Sequence, residues 1–141
     1  MAHPFKMQEA TSIALHSMIK IARAYPEPQQ TADLASEIGV SKNHLAKVLQ
    51  RLHKAGLILS KRGPNGGVTL AKRPHEISLL EIYEAIEGKF SPNICLLSKK
   101  DCPFKKCIMG SLIGEMGRIF GDFFSSHSLA DFRSKNNREV N

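Results

Sequence analysis

The chain has 141 residues, of which 42% are hydrophobic and 23% charged, a composition typical of one soluble globular domain. No apolar run approaches the roughly 20 residues of a membrane span. The first residues also lack the basic and apolar segments of a secretory signal. We therefore expect a cytoplasmic protein with no membrane partner.

The positive charge of the chain is concentrated in one stretch. The formal net charge is +7 and the pI about 9.5, but residues 41–75 contain eight cationic side chains and no Asp or Glu. These cations are Lys42, Lys47, Arg51, Lys54, Lys61, Arg62, Lys72 and Arg73. Such a one-sign stretch indicates a polyanionic partner such as double-stranded DNA, although it is also compatible with a merely soluble basic face.

Three helices are predicted in the first part of the chain. Apolar periodicity predicts the first over residues 7–24, before Pro26. Thr31 is the expected N-cap of the second helix, and Gly39 is expected to end it. The third runs from an N-cap at Ser41 to about Lys54.

The third helix has two distinct faces. Its apolar stripe, expected in the core, is Leu45, Val48, Leu49 and Leu52. The opposite stripe carries hydrogen-bond donors for phosphates or base edges, namely Asn43, Lys47, Gln50 and Lys54. Two short helices joined by a glycine-containing turn, with such a face on the second, predict a helix-turn-helix.

A β-hairpin is predicted directly after this motif. Strands over residues 57–59 and 68–70 flank Pro64-Asn65-Gly66-Gly67, and Asn-Gly is a strong hairpin signal. Lys61 and Arg62 are expected at its tip. The predicted fold is therefore mainly α with a small β-hairpin wing, that is, a winged helix-turn-helix.

A capped helix and a long helix complete the predicted fold. Ser78 and Glu81 form a capping box for a helix that closes at Gly88.

A long C-terminal helix is predicted over residues 108–126. Its apolar stripe of Ile108, Leu112, Met116, Ile119 and Phe123 has coiled-coil-like spacing, and a second stripe consists of Gly110, Gly114, Gly117 and Gly121. Because each glycine costs a helix stability, we interpret the second stripe as a site where another helix approaches closely. This predicts a dimerisation helix, with packing against the protein's own core as the alternative.

All three cysteines of the chain, Cys95, Cys102 and Cys107, lie within thirteen residues. In a reducing cytoplasm such a group indicates metal binding or redox sensing more than a structural disulfide. Nearby lysines (Lys99, Lys100, Lys105 and Lys106) favour the thiolate form and partly neutralise an anionic cluster. Zinc and a set of free thiols remain alternatives.

The order of these elements resembles the IscR/NsrR/CymR (Rrf-two) family of bacterial winged-helix regulators. The matching stretches are SIALHSMIKIA, the segment from TADLASEIGVS to RGPNGGVTLAK, ISLLEIYEAIEG and HSLADF. The resemblance implies a homodimeric transcription factor, with roles in repression among others, that binds a dyad-symmetric operator. The DNA-contacting residues that it implies are Ser41, Lys42, Asn43, His44 and Lys47 on the recognition helix, with Lys61 and Arg62 on the wing. Ala46 stands where the cluster-biogenesis regulator carries a glutamate, so the operator sequence is not transferable.

In the cluster-binding branch of that family, three loop cysteines hold an iron–sulfur cluster, of the 2Fe-2S or 4Fe-4S type. The resemblance therefore implies that Cys95, Cys102 and Cys107 are ligands. The fourth ligand stays open: His16 matches the histidine that one redox sensor of the family uses, and Glu9, Asp101, water or a small thiol are alternatives.

The predicted organisation has four parts. Residues 1–88 form the DNA-binding domain, 89–107 the cysteine-containing sensor loop, 108–132 the dimerisation helix (Leu112, Met116, Ile119 and Phe123 at the interface) and 133–141 a flexible tail. The predicted function is a DNA-binding regulator controlled by an iron–sulfur cluster. Two rivals are a cluster-free thiol redox switch of the same fold and an iron–sulfur electron carrier, and no catalytic motif of an enzyme is present.

Overall fold

The computed structural model describes residue 2 and residues 5–92, 95–97 and 102–134. Five helices and one antiparallel hairpin follow the predicted order. The helices are α1 (Glu9–Ala24), α2 (Thr31–Ile38), α3 (Lys42–Lys54), α4 (Leu79–Glu87) and α5 (Leu112–Ser126), the strands are β1 (Ile58–Lys61) and β2 (Gly67–Leu70), and two short 3₁₀ turns span Pro74–Glu76 and Leu129–Phe132. The predicted winged helix-turn-helix fold, mainly α with a β-hairpin wing, is confirmed.

Helix α1 lies at the centre of the core, where it packs against α3, α4 and the hairpin. Met18 and Ile21 on its inner face are fully buried. They meet the apolar stripe of α3, which is buried as predicted. Within the described residues, no helix combines the length and apolar character that crossing a bilayer requires.

The helix-turn-helix is built by two local signals. Gly39 ends α2 in the left-handed conformation (φ 81°), which glycine adopts without steric cost. Ser41 then caps α3, since its hydroxyl accepts a hydrogen bond from the backbone N–H of His44 at 3.1 Å. Both expectations are confirmed. The expected cap by Thr31 is wrong, because α2 begins one residue earlier and Gln30 is its N-cap.

The wing is longer than predicted and is tied to the chain before α2. Lys61 pairs with Gly67 at the end of the hairpin, so Lys61 belongs to β1 and only Arg62 lies in the tip. Gln29 adds a bridge to Val68, with both backbone hydrogen bonds at 2.8 Å. The position of the wing relative to the helix-turn-helix is therefore fixed by main-chain bonds.

Gly67 makes this attachment possible, and its replacement by alanine is expected to weaken it. A Cβ at Gly67 would lie 2.3 Å from the carbonyl oxygen of Gln29, whereas Gly63 shares the positive φ but has open space around it. Gly67→Ala should therefore lower the free energy of unfolding by about 1–3 kcal/mol more than the control Gly63→Ala does. Denaturant unfolding of the two variants measures this, and equal losses would contradict the attachment.

Helix α5 begins later than predicted. It starts at Leu112 rather than at residue 108, since Gly110 adopts a positive φ of 55° and residues 108–111 form turns. Ile108 and Gly110 are therefore not part of the helix. Ile108 lies exposed beside it, with 91% of its surface accessible.

The glycines of α5 face the protein's own chain. A Cβ at Gly117 would lie 2.2 Å from the backbone of Pro92, and one at Gly121 would lie 2.8 Å from the Phe90 ring. The prediction that another helix needs this space is wrong for these two positions. They instead accommodate the segment 90–92, which leads into the cysteine loop.

The chain after α5 fastens this helix to the DNA-binding part. Leu129 is fully buried, and its N–H donates to the carbonyl of Ile77 at 3.0 Å. Arg133 donates from Nε to the carbonyl of Ala22 (3.1 Å) and from an η nitrogen to that of Tyr25 (3.0 Å). The predicted flexible tail therefore does not begin at Arg133, and residues 135–141 lie outside the described residues.

Candidate functional site

A cationic surface covers the outer face of α3 and the wing. Five side chains form it, all exposed and none with an ion-pair partner in the described part of the chain; they are Lys42, Lys47, Lys54, Lys61 and Arg62. Unpaired cations on one face repel each other and attract a polyanion. This surface, here called the basic face, has the charge that a DNA backbone requires.

Two cations of the acid-free stretch bond to other parts of the protein and do not belong to the basic face. Lys72 forms an ion pair with Glu81 on α4, with 3.0 Å between Nζ and Oε1. Arg51 donates a hydrogen bond to the carbonyl of Ile86 near the end of α4. Arg51 therefore attaches α3 to α4, and Lys72 attaches the chain that follows the wing to α4.

The polar residues predicted to read DNA lie at the start of α3. Asn43 is exposed and His44 is half-buried. Although the Ser41 hydroxyl oxygen accepts the capping bond, its own O–H can still donate. The N-terminal turn of α3 therefore presents donors and acceptors beside Lys42 and Lys47, an arrangement suited to base edges.

The three cysteines line one cavity. Its volume is about 590 Å³, and its remaining described lining is mostly apolar: Leu96, Leu97, Phe104, Lys106, Ile108, Gly110, Ile113 and Gly114. Cys95, Cys102 and Cys107 are all exposed and free of disulfides. The cavity lies at the start of α5, the helix predicted to form the dimer, because Ile113 and Gly114 also line it.

The donor chemistry of this cavity fits an iron–sulfur cluster. Thiolates are the usual protein ligands of such clusters, and three thiols line this one cavity. Among the described residues, no group of three or more His, Cys, Asp or Glu side chains is already assembled as a metal site. Lys99, Lys100 and Asp101, which the sequence placed near the thiols, lie outside the described residues.

His16 lies on another surface. It lines a separate cavity between α1 and α2, and its Nδ1 is 2.6 Å from the carbonyl oxygen of Ser12. This contact makes Nδ1–H the donor and leaves Nε2 as the nitrogen that could bind a metal. Within one protomer His16 does not share the cysteine cavity.

An aromatic cluster, which sequence reasoning missed, joins the loop to α5. Phe120 stacks on Phe124 with 4.1 Å between ring centroids, and Tyr83 lies edge-on to Phe120 at 5.0 Å. Phe90 joins them at 5.3 Å from Phe120. Burial raises the pKa of the Tyr83 phenol, and the carboxylate of Glu87 raises it further. The cluster is therefore uncharged and packs the entry of the cysteine loop on α4 and α5.

Comparison with known proteins decides which family this arrangement represents. The Rrf2 family model, described as an iron-dependent transcriptional regulator, matches residues 7–135. The chain belongs to the Rrf2 family.

Individual Rrf2 proteins share much of the chain. The HTH-type regulator BadM of Rhodopseudomonas palustris is 41% identical over 85 residues, which are 60% of this chain and 54% of BadM, so the chain spans about half the length of BadM. The HTH-type regulator IscR of Vibrio parahaemolyticus is 26% identical over 133 residues, 93% of this chain and 79% of IscR. The structure of CymR, the global cysteine regulator of B. subtilis, has a TM-score of 0.78 at 25% identity, covering 92% of this chain and 96% of CymR.

These relatives confirm the predicted class. They are transcriptional regulators with a DNA-binding winged helix, and the Rrf2 protein described here is a regulator of that type and not an enzyme.

Proposed function

We propose that this Rrf2 protein is a cytoplasmic, homodimeric transcription regulator whose affinity for a dyad-symmetric operator is set by an iron–sulfur cluster on Cys95, Cys102 and Cys107. The observation that carries the proposal is the single cavity that the three free thiols share at the start of α5. The description of the family as iron-dependent supports it.

The basic face supplies the contacts to DNA. In the proposed complex the first turn of α3 (Ser41, Lys42, Asn43 and His44) enters the major groove together with Lys47, while Lys61 and Arg62 follow the backbone toward the minor groove. Lysines there neutralise phosphates, and the polar side chains read bases. The attachment of the wing at Gln29 holds Arg62 at a fixed distance from α3.

An exposed apolar stripe on α5 supports the homodimer. Leu112, Met116, Ile119 and Phe123 keep 46%, 39%, 61% and 48% of their surface accessible, and no residue of α5 is buried. Such a row at coiled-coil spacing is costly to expose to water. A second copy of α5 would cover it and set the distance between two recognition helices.

A cluster would join the three cysteine thiolates to one redox-sensitive group. Ligation would restrain residues 95–107 against the start of α5, where Ile113 and Gly114 line the cavity. If His16 is the fourth ligand, it comes from the second copy, because within one protomer His16 lines a different cavity from the three thiols. This placement is part of the proposal.

Packing inside the protomer gives the loop a route to the DNA-binding part. Pro92 lies against Gly117, and Phe90 lies against Gly121. A displacement of the cysteine loop would therefore displace α5 as well. The far end of α5 is fastened to the core through Leu129. The proposed signal therefore travels from the thiols to α5 and from there to the distance between the two α3 helices.

A thiol redox switch without metal is the second candidate. The exposure of all three thiols favours it, because exposed thiols are accessible to oxidants. Under that candidate disulfide formation, and not iron, would control binding. Iron and sulfide content separate the two.

Variants of the basic face test the DNA half of the proposal. Lys47→Ala and Arg62→Ala should weaken binding to an operator selected from random duplexes. Lys47→Ala should also reduce the slope of log affinity against log salt by about one phosphate contact. Lys89→Ala is the matched control, because Lys89 is exposed but lies outside the basic face. Titrations at several salt concentrations measure this, and equal behaviour of Lys47→Ala and Lys89→Ala would contradict the assignment.

A further inference from the structure

A second cavity opens beside the recognition helix, between α3 and the wing. Its volume is about 360 Å³. Its floor is apolar and buried, formed by Leu49, Ile58 and Val68. Four different elements meet in it, namely the start of α2, helix α3 and strands β1 and β2. We call it the wing cleft.

Four polar side chains line the rim of the wing cleft. They are Thr31, Gln50, His53 and Ser60, and each can donate a hydrogen bond. None of the four side chains makes a hydrogen bond or ion pair within the described part of the protein. Because these donors surround one concave site and bond to no other described protein group, a single acceptor from outside can accept hydrogen bonds from several of them at once.

The charge around the cleft selects the kind of acceptor. No carboxylate lines it, and Ala46 is the only other described lining residue, with a side chain too short to fill it. Gln50 lies one turn beyond Ala46 on the outer face of α3, in the same stripe as Lys47 and Lys54. Because Lys47 and Lys54 are exposed beside the cleft, the ligand that they favour there is an anion that continues along the basic face.

We propose that the wing cleft holds one backbone phosphate of duplex DNA in each half-site, with Gln50 and Ser60 as its principal donors and His53 and Thr31 beside them. The donors are mostly neutral and widely placed, which suits a phosphate presented by a duplex more than a free anion. Hydrogen-bond donors from α3 and from the wing would then bind the same DNA strand. The contact would fix how deeply α3 enters the groove without reading sequence.

This proposal rests on DNA binding by the basic face, and its test separates the two. The operator is first selected with the unmodified protein, and each phosphate is then replaced in turn by an uncharged methylphosphonate. Binding is measured for the unmodified protein, for the double variant Gln50→Ala with Ser60→Ala, and for Ser36→Ala as a control hydroxyl on α2 outside the cleft.

The double variant should lose about tenfold or more in affinity for operator and random duplex alike, since each lost bond is to a charged acceptor. At one phosphate per half-site, neutralisation should weaken the unmodified protein and Ser36→Ala but leave the double variant unchanged. At all other phosphates the three proteins should respond equally. Thermal unfolding of the double variant should match that of the unmodified protein, because all four side chains lie at the surface.

Two results would overturn the proposal. One is a double variant whose affinity still falls when any phosphate is neutralised. The other is a double variant that loses its preference for the operator over random duplex, which would mean that Gln50 or Ser60 contacts bases. Inorganic phosphate added without DNA should leave the NMR signals of Gln50 and His53 unshifted, and a shift would assign the cleft to a free anion. Absence of DNA binding by the unmodified protein would reject the underlying function itself.

Discussion

Ile119→Glu is expected to convert the proposed dimer into a monomer and to lower its affinity for a dyad-symmetric operator by about 10²- to 10⁴-fold. Ile119 is the most exposed member of the apolar stripe on α5, at 61%. Burying a carboxylate in an apolar interface costs several kcal/mol. The monomer would then bind one half-site of the operator with its single winged helix. Its affinity would be lower because no second winged helix is linked to it.

The control for this prediction lies on the same helix. Ser125→Glu adds the same carboxylate at an exposed position away from the stripe, and the dimer should persist. Sedimentation should give a mass near the chain's 15.6 kDa for Ile119→Glu and twice that for Ser125→Glu. An Ile119→Glu protein that remains a dimer would place the interface elsewhere.

Cys102→Ala is expected to abolish retention of an iron–sulfur cluster and to give the variant the operator affinity of the apo protein. Cys102 is the middle one of three thiols on one cavity, and its loss leaves only two of the four thiolates that such clusters usually bind. The loss should appear as absence of visible absorption and of bound iron after anaerobic reconstitution. The fold should stay intact, because Cys102 is exposed.

Two further variants sharpen this result. Leu97→Ala changes the lining of the same cavity without removing a ligand, and it should keep its iron. His16→Ala should shift the absorption bands or shorten the lifetime of the cluster if His16 of the second copy is the fourth ligand. Full iron content in Cys102→Ala would remove this thiol from the ligand set.

Local signals in the sequence were sufficient for the DNA-binding part. The period of apolar residues in α3, the cap at Ser41 and the glycine at position 39 each act within a few residues, and the structure agrees with them. The capping box of Ser78 and Glu81 is likewise confirmed, with hydrogen bonds of 3.0 and 3.1 Å. Such features depend only on neighbouring residues, so sequence is enough to find them.

Features that depend on distant segments were missed or misread. The glycines of α5 suggested another helix, because sequence shows that space is needed but not that Pro92 and Phe90 occupy it. The wing cleft joins α2, α3, β1 and β2 through residues that are far apart in the chain. Gln29, which pairs with the wing, lies in the segment between α1 and α2, where the sequence has no periodic pattern. These sites arise from tertiary packing and leave no local pattern.

The most direct test of a cluster-controlled regulator uses one anaerobic preparation of the protein. Its affinity for the operator is measured before and after the cluster is removed by chelation, and iron and acid-labile sulfide are assayed in the same samples. We expect iron and sulfide in near-equal amounts, visible absorption bands, and an operator affinity that changes about tenfold or more on removal, as a coupling of 1–3 kcal/mol would give. A colourless protein without sulfide after reconstitution, or one affinity for both forms, would contradict the account.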